Sequence, residues 1–568
     1  MMDFKNLLFC FLLIQIINFL GTWKLYAKAG FKPWQSIVPI YNAIILMKII
    51  RRPTWWIIFL FIPTINLIML IVIWIQILNV FGKKSNKDYL LVILSLGLYI
   101  FYINYHSKTK YQSQESKPLS NNYIETLSSL IFAIIAATIV HNYIIQPFII
   151  PTGSLEKSLL IGDFLFVSKF HYGARVPMTA ISFPMVHDTI PILKIRSYLN
   201  KPQLPYLRIP GFQKIKRNDI VVFNWPADTV RTFFVKEKGV KKPIDKKSNY
   251  VKRCVGIPGD TLEIIDGFIY TDGNKNILPN RAKVQYNFKA YSNQGVSSRK
   301  LLKIGINDFY RKYKIQNINQ KAIKKILPYI IGTSGNTIEN FIVITKKNGL
   351  PIKLINSLGI KVSELLEVEK NLTMTIKQSI RLKKENWIDS VIMNIDKSKT
   401  PNTSLFPNKI PYNWNQDNFG PIIIPKKNQI INLNKQNLPL YKKLIVDYEK
   451  NELKTDANNI YLNGDKVKEY KFKQDYYWMM GDNRHQSEDS RFWGFVPYNH
   501  IVGKPVFIWF SIEGINDGIK NWKIRWNRVF TKVSGSGKRV SYFPYFISLI
   551  IIWQAIIFLK KYFKKKND

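Results

Sequence analysis

The sequence is poor in the residues that build disulfide frameworks and metal sites. Its 568 residues include two cysteines, Cys10 and Cys254, so we expect no disulfide framework. The six histidines form neither an H-E-x-x-H motif nor a set with the cysteines. We therefore expect no catalytic metal and no other cofactor.

Acidic residues are also scarce. The chain has 37 Asp and Glu against 83 Lys and Arg, a net charge of +46. Such an excess often indicates nucleic-acid binding. Here the basic residues are spread through Lys-, Asn- and Ile-rich sequence without a nucleic-acid motif, which a compositional drift explains more simply. We expect no nucleic-acid partner, and attraction to an anionic membrane surface would be a by-product.

Apolar runs are abundant and predict membrane-spanning helices at both ends of the chain. The candidate spans are residues 7–20, 55–81, 89–103, 127–150 and 545–559. Residues 34–50 are too short and mixed for a span and are better described as interfacial or re-entrant. We therefore expect the lipid bilayer to be a binding partner.

Basic residues flanking these runs predict an orientation, because positive loops favour the cytoplasmic side. If four N-terminal helices cross, the basic loops 21–54 and 104–126 lie on the cytoplasmic side and the 127–150 helix leads outward. The lysines that follow residue 559 return the C-terminus to the cytoplasm. Lys83, Lys84 and Lys87 then fall outside, which leaves the number of spans open. The prediction is a multi-pass membrane protein with residues 151–544 on the outer side.

The stretch 151–163 begins where the 127–150 run ends. Pro151 and Gly153 favour a turn. Such a turn presents the hydroxyl of Ser154 at the edge of the bilayer. Taken alone, the stretch is better explained as a polar turn that caps a membrane helix.

Residues 163–169 and 219–225 are short strand-like runs that end near turns. Residues 250–255 also have strand character and are followed by turn residues at 256–260. Because side chains alternate along a strand, Lys252 shares a face with Tyr250 and Cys254. A lysine acts as a general base only when neutral, and burial among apolar groups lowers its usual pKa of about 10.4 by several units. A buried Lys252 could then take a proton from a serine hydroxyl. The alternative is an ordinary strand lysine facing solvent.

A third stretch, 481–497, has dense and balanced charges between two apolar runs. Its aromatic residues Phe492, Trp493 and Phe495 favour a covered position. This pattern predicts a hydrogen-bonded loop packed against the domain, in which Ser487 reaches a neighbouring amine. The alternative is a solvated turn.

Together these stretches resemble the type I signal peptidases, membrane-bound serine endopeptidases of peptidase family S26. The motifs that carry the resemblance follow the order of the family and lie at residues 151–169, 216–223, 250–260 and 481–497. The resemblance implies that Ser154 is the nucleophile and Lys252 the general base. It also implies that Thr152 and the Ser154 backbone N–H hold the oxyanion, while Ser487 orients the lysine. The residues that it implies support the site are Arg253, Asp482, Asp489 and Arg491.

The chain departs from the family pattern at several positions. Leu155 replaces the usual Met at a position that contacts substrate, and Glu156 and Lys157 replace the commoner residues after it. His485 stands where an acidic residue is usual, which places one supporting ion pair in doubt. Two alternatives stay open: a non-catalytic membrane scaffold of the same fold, and an S-x-x-K enzyme that uses Lys157 as its base. No S-D-N or K-T-G motif accompanies the latter.

The resemblance implies a mainly β catalytic domain with a large inserted α+β domain, anchored by N-terminal transmembrane helices and one C-terminal transmembrane helix. The implied function is removal of N-terminal signal peptides from exported preproteins after small residues, at Ala-x-Ala sites, through an acyl-enzyme. The implied location is the inner membrane, with the catalytic domain on the periplasmic side. Preproteins are the implied partners, and the protein export machinery is left open.

The expected division of the chain follows from the motifs and the apolar runs. It consists of a membrane region with about three spans (1–126), a transmembrane helix leading into the active site (127–150), a catalytic domain in two parts (151–266 and 474–534), an inserted variable domain (267–473), and a linker with the last helix and basic tail (535–568). Residues 319–331 and 362–381 of the insertion are expected to be helical.

Overall fold

Short strands dominate the chain between its apolar ends. The computed structural model describes residues 4–112, 122–228, 239–316, 318–334, 341–398, 400, 402–409, 411–456 and 459–567. The helices are α1 (Phe4–Lys28), α2 (Tyr41–Ile49), α3 (Ile57–Leu60), α4 (Ile65–Val80), α5 (Asn86–Leu94), α6 (Tyr99–Tyr105), α7 (Asn122–Ile139), α8 (Ser298–Lys303), α9 (Gln320–Ile326), α10 (Ile352–Leu358), α11 (Ile376–Leu382), α12 (Leu438–Lys443), α13 (Ser490–Trp493) and α14 (Phe543–Asn567).

The strands follow one another closely from residue 145 onward, and the mainly β architecture is confirmed. They are β1 (Ile145–Ile149), β2 (Asp163–Ser168), β3 (Ile220–Asn224), β4 (Asn249–Gly256), β5 (Thr261–Ile265), β6 (Phe268–Thr271), β7 (Asn274–Lys275), β8 (Tyr286–Tyr291), β9 (Arg311–Gln316), β10 (Ile330–Ser334), β11 (Phe341–Thr345), β12 (Lys361–Glu364), β13 (Glu369–Met374), β14 (Ser390–Met393), β15 (Phe419–Ile423), β16 (Ile430–Asn432), β17 (Leu453–Thr455), β18 (Ile460–Leu462), β19 (Asp465–Val467), β20 (Glu469–Lys471), β21 (Tyr476–Met480), β22 (Val496–Pro497), β23 (Ile501–Glu513), β24 (Lys523–Ile524) and β25 (Thr531–Lys532).

The largest sheet joins distant parts of the chain. Its strand order is β1-β2-β23-β3-β4-β21-β22, and β24 and β25 also pair with β23. The long strand β23 lies between β2 and β3, so a segment near the C-terminus completes the sheet begun after the membrane region. The strands predicted at 163–169, 219–225 and 250–255 all lie in this sheet as β2, β3 and β4.

The faces of β3 and β4 alternate as their sequences predict. Val222 and Val251 pack into one apolar cluster, whereas Phe223 and Cys254 pack into another on the opposite face. Each fully buried aliphatic or aromatic side chain contributes about 1.5–3 kcal/mol to folding. The two clusters fix which face of β4 each of its residues occupies.

A buried ion pair ties the start of the sheet to its last part. Asp163 is fully buried, and it accepts hydrogen bonds from Ser511 Oγ at 2.7 Å and Arg528 Nε at 2.9 Å. It also accepts one from the backbone N–H of Leu160 at 2.8 Å, which fixes the segment just after Ser154. These donors satisfy the buried carboxylate, which would be costly to bury without them.

The middle of the chain forms smaller sheets with apolar clusters of their own. Strands β13, β8 and β14 form one sheet, and β10, β11, β9 and β12 form another. The predicted helix at 319–331 is present as α9 and a 3-10 turn, but it gives way to β10 at Ile330. The predicted helix at 362–381 is wrong over residues 362–374, which include β12 and β13, and only its end, from Ile376, is helical as part of α11.

The membrane region has fewer long helices than its hydropathy predicts. Among the described residues, two helices are long and apolar enough to cross a membrane, Leu8–Lys28 and Phe543–Lys560, or three if α5 and α6, bent by 117°, form one span. The described residues before 127 therefore supply one candidate span, or two with the bent pair, where about three were expected. The run 55–81 is broken between α3 and α4, where Pro63 and the left-handed Thr64 (φ +73°) interrupt the helix.

The predicted helix 127–150 is also shorter than expected. It ends in a π-helical turn at Val140–Ile144, and Ile145–Ile149 forms β1, paired in register with β2. Apolar β-branched residues suit a strand as well as a membrane helix, and Pro147 lacks the N–H that a continuing helix needs. The last helix before the serine motif therefore leads into the sheet instead of ending at the turn.

Candidate active site

Ser154 lies in a tight turn that begins directly after β1. Thr152 has an extended backbone, and residues Gly153–Leu155 form one 3-10 turn. The Leu155 side chain is 1 % exposed and packs into the cluster that contains Ile150, which anchors the turn. Ser154 itself is half-buried and Thr152 is exposed. The Leu155 side chain thus lies in the core beneath the turn. The substrate contact predicted for it stays a prediction.

Lys252 lies in the middle of β4, between β3 and β21. Its side chain is 3 % exposed, so the alternative of a solvent-facing strand lysine is wrong. Its Nζ lies 5.4 Å from the centre of the Tyr250 ring. Burial lowers the pKa of the Lys252 ammonium to about 8, and the carboxylates of Asp489 and Glu488 oppose that fall. A substantial fraction of this amine is therefore neutral near physiological pH.

The register of β4 and β21 places Gly481 opposite this lysine. Met480 pairs with Arg253, so the next position along the two chains sets Gly481 against Lys252. Residues directly opposite in an antiparallel pair point to the same face. The face on which Gly481 lacks a side chain is therefore the face that carries the Lys252 side chain.

Two serines fill the space that Gly481 leaves open. A Cβ at Gly481 would lie 2.2 Å from Ser487 Oγ and 2.7 Å from the Ser154 carbonyl oxygen. The Asn483 N–H also donates to this carbonyl at 3.0 Å, which holds the serine turn against the loop. Within the described part of the chain, Ser487 Oγ is buried without a hydrogen-bond partner. The structure thus brings Ser154, Lys252 and Ser487 to one place.

Two buried ion pairs hold the loop 481–491 in position. Arg253 donates to both carboxylate oxygens of Asp482, at 2.7 and 2.6 Å. Arg491 donates to both oxygens of Asp489 at 2.9 Å, and Asp489 also accepts from the Gly481 N–H at 3.1 Å. Burial alone would raise the pKa of each carboxyl, but the adjacent guanidinium outweighs it and lowers the pKa. Both aspartates therefore stay ionised and paired.

His485, which departs from the family pattern, has a carboxylate partner that the sequence did not reveal. Its Nε2 lies 2.9 Å from Asp417 Oδ1, in the segment before β15. The same segment accepts a hydrogen bond from Arg491 Nη1 at the Gln416 carbonyl, 3.3 Å away. Asp417 lies 68 residues from His485 in the chain. No local spacing could have signalled this pair.

Lys157, the base in the alternative S-x-x-K enzyme, contacts a different part of the chain. Its Nζ donates to Gln378 Oε1 at 2.8 Å, in the middle of the chain. Burial lowers its pKa to about 8 as well, so the pKa does not distinguish the two lysines. The positions of the two lysines do distinguish them, since of the two only Lys252 lies opposite Gly481, where Ser154 and Ser487 meet.

A half-buried serine near a buried lysine of lowered pKa fits the arrangement of a serine hydrolase, in which an adjacent base activates the nucleophile. The model of the family described as "Signal peptidase, peptidase S26" matches residues 123–324 and 420–510, more than half of the chain. The chain belongs to this family, and it is a serine endopeptidase. A family of unknown function (DUF5684) also matches residues 34–114.

Curated relatives support the assignment at low identity. The signal peptidase I of Buchnera aphidicola subsp. Acyrthosiphon pisum is 25% identical over 446 residues, 78% of this chain and 91% of the relative. That of Buchnera aphidicola subsp. Schizaphis graminum is 26% identical over 391 residues, 69% of this chain and 76% of the relative. The signal peptidase I of Rickettsia massiliae is 31% identical over 147 residues, 26% of this chain and 42% of the relative.

The space at Gly481 gives a direct test of this geometry. Gly481→Ala should lower the kcat/KM of peptide hydrolysis by about 10²-fold, because the new methyl group must displace Ser487 or the Ser154 turn and catalytic geometry tolerates little displacement. Gly332→Ala is the matched control, since its new Cβ would meet its nearest neighbour at an ordinary 3.7 Å. Equal activity in the two variants would show that the space opposite Lys252 is not part of the site.

Proposed function

We propose that this protein is a signal peptidase that removes N-terminal signal peptides from exported preproteins, with Ser154 as nucleophile and Lys252 as general base. The observation that carries the proposal is the meeting of Ser154, Ser487 and the buried Lys252 around Gly481. The family match and the names of the relatives support the substrate class.

In the proposed mechanism, Ser154 Oγ attacks the scissile carbonyl carbon while Lys252 Nζ accepts the hydroxyl proton. The leaving amine takes this proton as the C–N bond breaks, which leaves an acyl-enzyme and a neutral lysine. Lys252 then accepts a proton from water as the water oxygen attacks the ester, and it returns that proton to Ser154. In this cycle the Lys252 amine alternates between its neutral and charged forms, and its pKa of about 8 allows both.

The oxyanion would be held by the backbone N–H of Ser154 and the hydroxyl of Thr152. The exposed, extended Thr152 leaves its hydroxyl accessible beside the turn. Such donors are worth about 3–4 kcal/mol each to the transition state. Ser487, whose buried hydroxyl lacks another partner among the described residues, would accept from Lys252 Nζ and orient it.

The surface beside the serine supports a preference for small residues before the cut. Val251 and Phe148 lie half-buried at the edge of the apolar cluster that holds Leu155. We propose that they form a shallow apolar floor for small side chains at an Ala-x-Ala site. Ser154 directly precedes Leu155 of this cluster, so a chain lying along this floor would pass close to Ser154.

The remaining organisation is proposed on the same basis. The two apolar helices would hold the enzyme at the inner membrane, with residues 151–544 on the periplasmic side and the C-terminus in the cytoplasm. Residues 267–473 would form the inserted domain, and the gap in the family match between 324 and 420 supports an insertion. Preproteins and the bilayer would be the partners, and a contact with the export machinery is left to experiment.

The dyad predicts which substitutions abolish cleavage. In membranes given a precursor with an Ala-x-Ala site, Ser154→Ala and Lys252→Ala should each lower the cleavage rate by at least about 10³-fold, because they remove the nucleophile and its base. Lys157→Ala should retain most of the activity, and metal chelators should have no effect.

Other outcomes would favour the alternatives. Loss of cleavage in Lys157→Ala but not in Lys252→Ala would identify the S-x-x-K base. A wild-type protein that binds the precursor without cutting it would indicate a non-catalytic scaffold.

The pKa of Lys252 predicts the pH profile. Since the base must be neutral, kcat/KM should rise with pH, with a midpoint near 8, and should level off above it. Glu488→Gln should move this midpoint to lower pH, because the Glu488 carboxylate favours the charged amine. A flat profile between pH 6 and about 10, or an unchanged midpoint in the variant, would contradict the assignment of Lys252 as the base.

A further inference from the structure

A groove of about 530 Å³ lies beside the serine turn. Its walls come from β6 and β7, from residues 278–286 and from the start of α11, and Lys157 and Arg484 also line it. The apolar side chains Phe268, Leu278 and Ile376 line much of it. Five cations also line it, and among the described residues no carboxylate does. These cations are Lys157, Lys275, Lys283, Lys377 and Arg484.

Arg484 is the most deeply placed of these cations. It is 3 % exposed, and its Nε has no hydrogen-bond partner among the described residues. Its Nη1 reaches only the Met480 sulfur, at 3.9 Å. A buried guanidinium without a carboxylate partner is unfavourable, so this position is prepared to accept an anion.

The neighbouring carboxylates are already engaged. Asp482 pairs with Arg253, Asp489 pairs with Arg491, and Asp417 contacts His485. Within the described residues, Arg484 forms no ion pair with any of them. An anion for Arg484 therefore has to enter through the groove.

The course of the chain around Ser154 indicates which part of a bound substrate would lie at the groove. The apolar helix α7 leads through β1 to Ser154, so a substrate's membrane-embedded signal would lie on the β1 side of the serine. Lys157 follows Ser154 by three residues, and Arg484 follows Asn483, whose N–H donates to the Ser154 carbonyl at 3.0 Å. Among the described residues that line the groove, none belongs to α7 or β1, so we assign the groove to the chain beyond the cut.

We propose that this groove binds the first residues of the mature chain and selects segments that carry a carboxylate, which Arg484 and the groove lysines receive. This inference rests on the proposed function and adds a substrate class to it. The apolar walls would contact the aliphatic parts of the segment. The charge of the lining would disfavour lysine or arginine close behind the cut.

Three peptides that differ only after the cut test this selection. They share one Ala-x-Ala site and carry acidic, neutral or basic residues at about the first five mature positions, a length that an extended chain spans in about 17 Å. The wild-type full-length enzyme in detergent should cleave the acidic peptide with a kcat/KM about tenfold above that of the neutral peptide, and the basic peptide with the lowest value. The difference should lie mainly in KM, because the contacts persist in the ground state, and it should shrink at high salt.

Charge-reversal variants test whether the groove causes the preference for the acidic peptide. Lys283→Glu and Lys377→Glu change exposed lysines of the lining and should move the preference towards the basic peptide. Lys466→Glu makes the same change in net charge at an exposed position outside the groove and should keep the acidic preference.

The outcomes separate this inference from the proposed function. Equal cleavage of all three peptides, or a preference that Lys283→Glu and Lys377→Glu leave unchanged, would overturn the groove proposal while the peptidase stands. Failure of the wild-type enzyme to cut even the neutral peptide would overturn the proposed function and this inference with it.

Discussion

The rest of this site depends on the burial of the Lys252 amine away from water. Lys252 is buried in the centre of the largest sheet, and burial brings its pKa to about 8. Carboxylates lie nearby, yet Asp482 and Asp489 are each engaged by a guanidinium. Were either aspartate released, its charge would stabilise the ammonium form and raise the pKa again. The ion pair of Asp489 with Arg491 therefore does more than hold a loop, since the Arg491 charge offsets part of the effect of Asp489 on the pKa of the proposed base.

The position of this amine depends on segments that are far apart in the chain. β4 supplies the lysine, the loop after β21 supplies Ser487, and the turn after β1 supplies Ser154. Hydrogen bonds from the middle of the chain brace that loop, including the Asp417 contact to His485. The middle region also forms one wall of the basic groove. A region without catalytic motifs thus supports the site geometry and shapes the surface beside it.

The sequence predicted the centre of the site better than its surroundings. The short runs at 163–169, 219–225 and 250–255 have strand character and end near turns, so β2, β3 and β4 were predicted. Hydropathy predicted the membrane region poorly, because the break at Pro63 and the change to strand at Ile145 lie within continuous apolar sequence. The partner of His485 and the isolation of Arg484 depend on residues brought together only by folding. Spacing along the chain carries no signal for such contacts.

A direct titration of Lys252 is the measurement closest to the central claim. In the full-length Ser154→Ala protein, competitive acetylation of lysines across a pH series, quantified by mass spectrometry, reports the neutral fraction of each amine. The buried amine should titrate with a midpoint near 8, well below the exposed lysines of the same chain. A midpoint for Lys252 near the usual value of about 10.4 would contradict the account, because such an amine could not serve as the base at physiological pH.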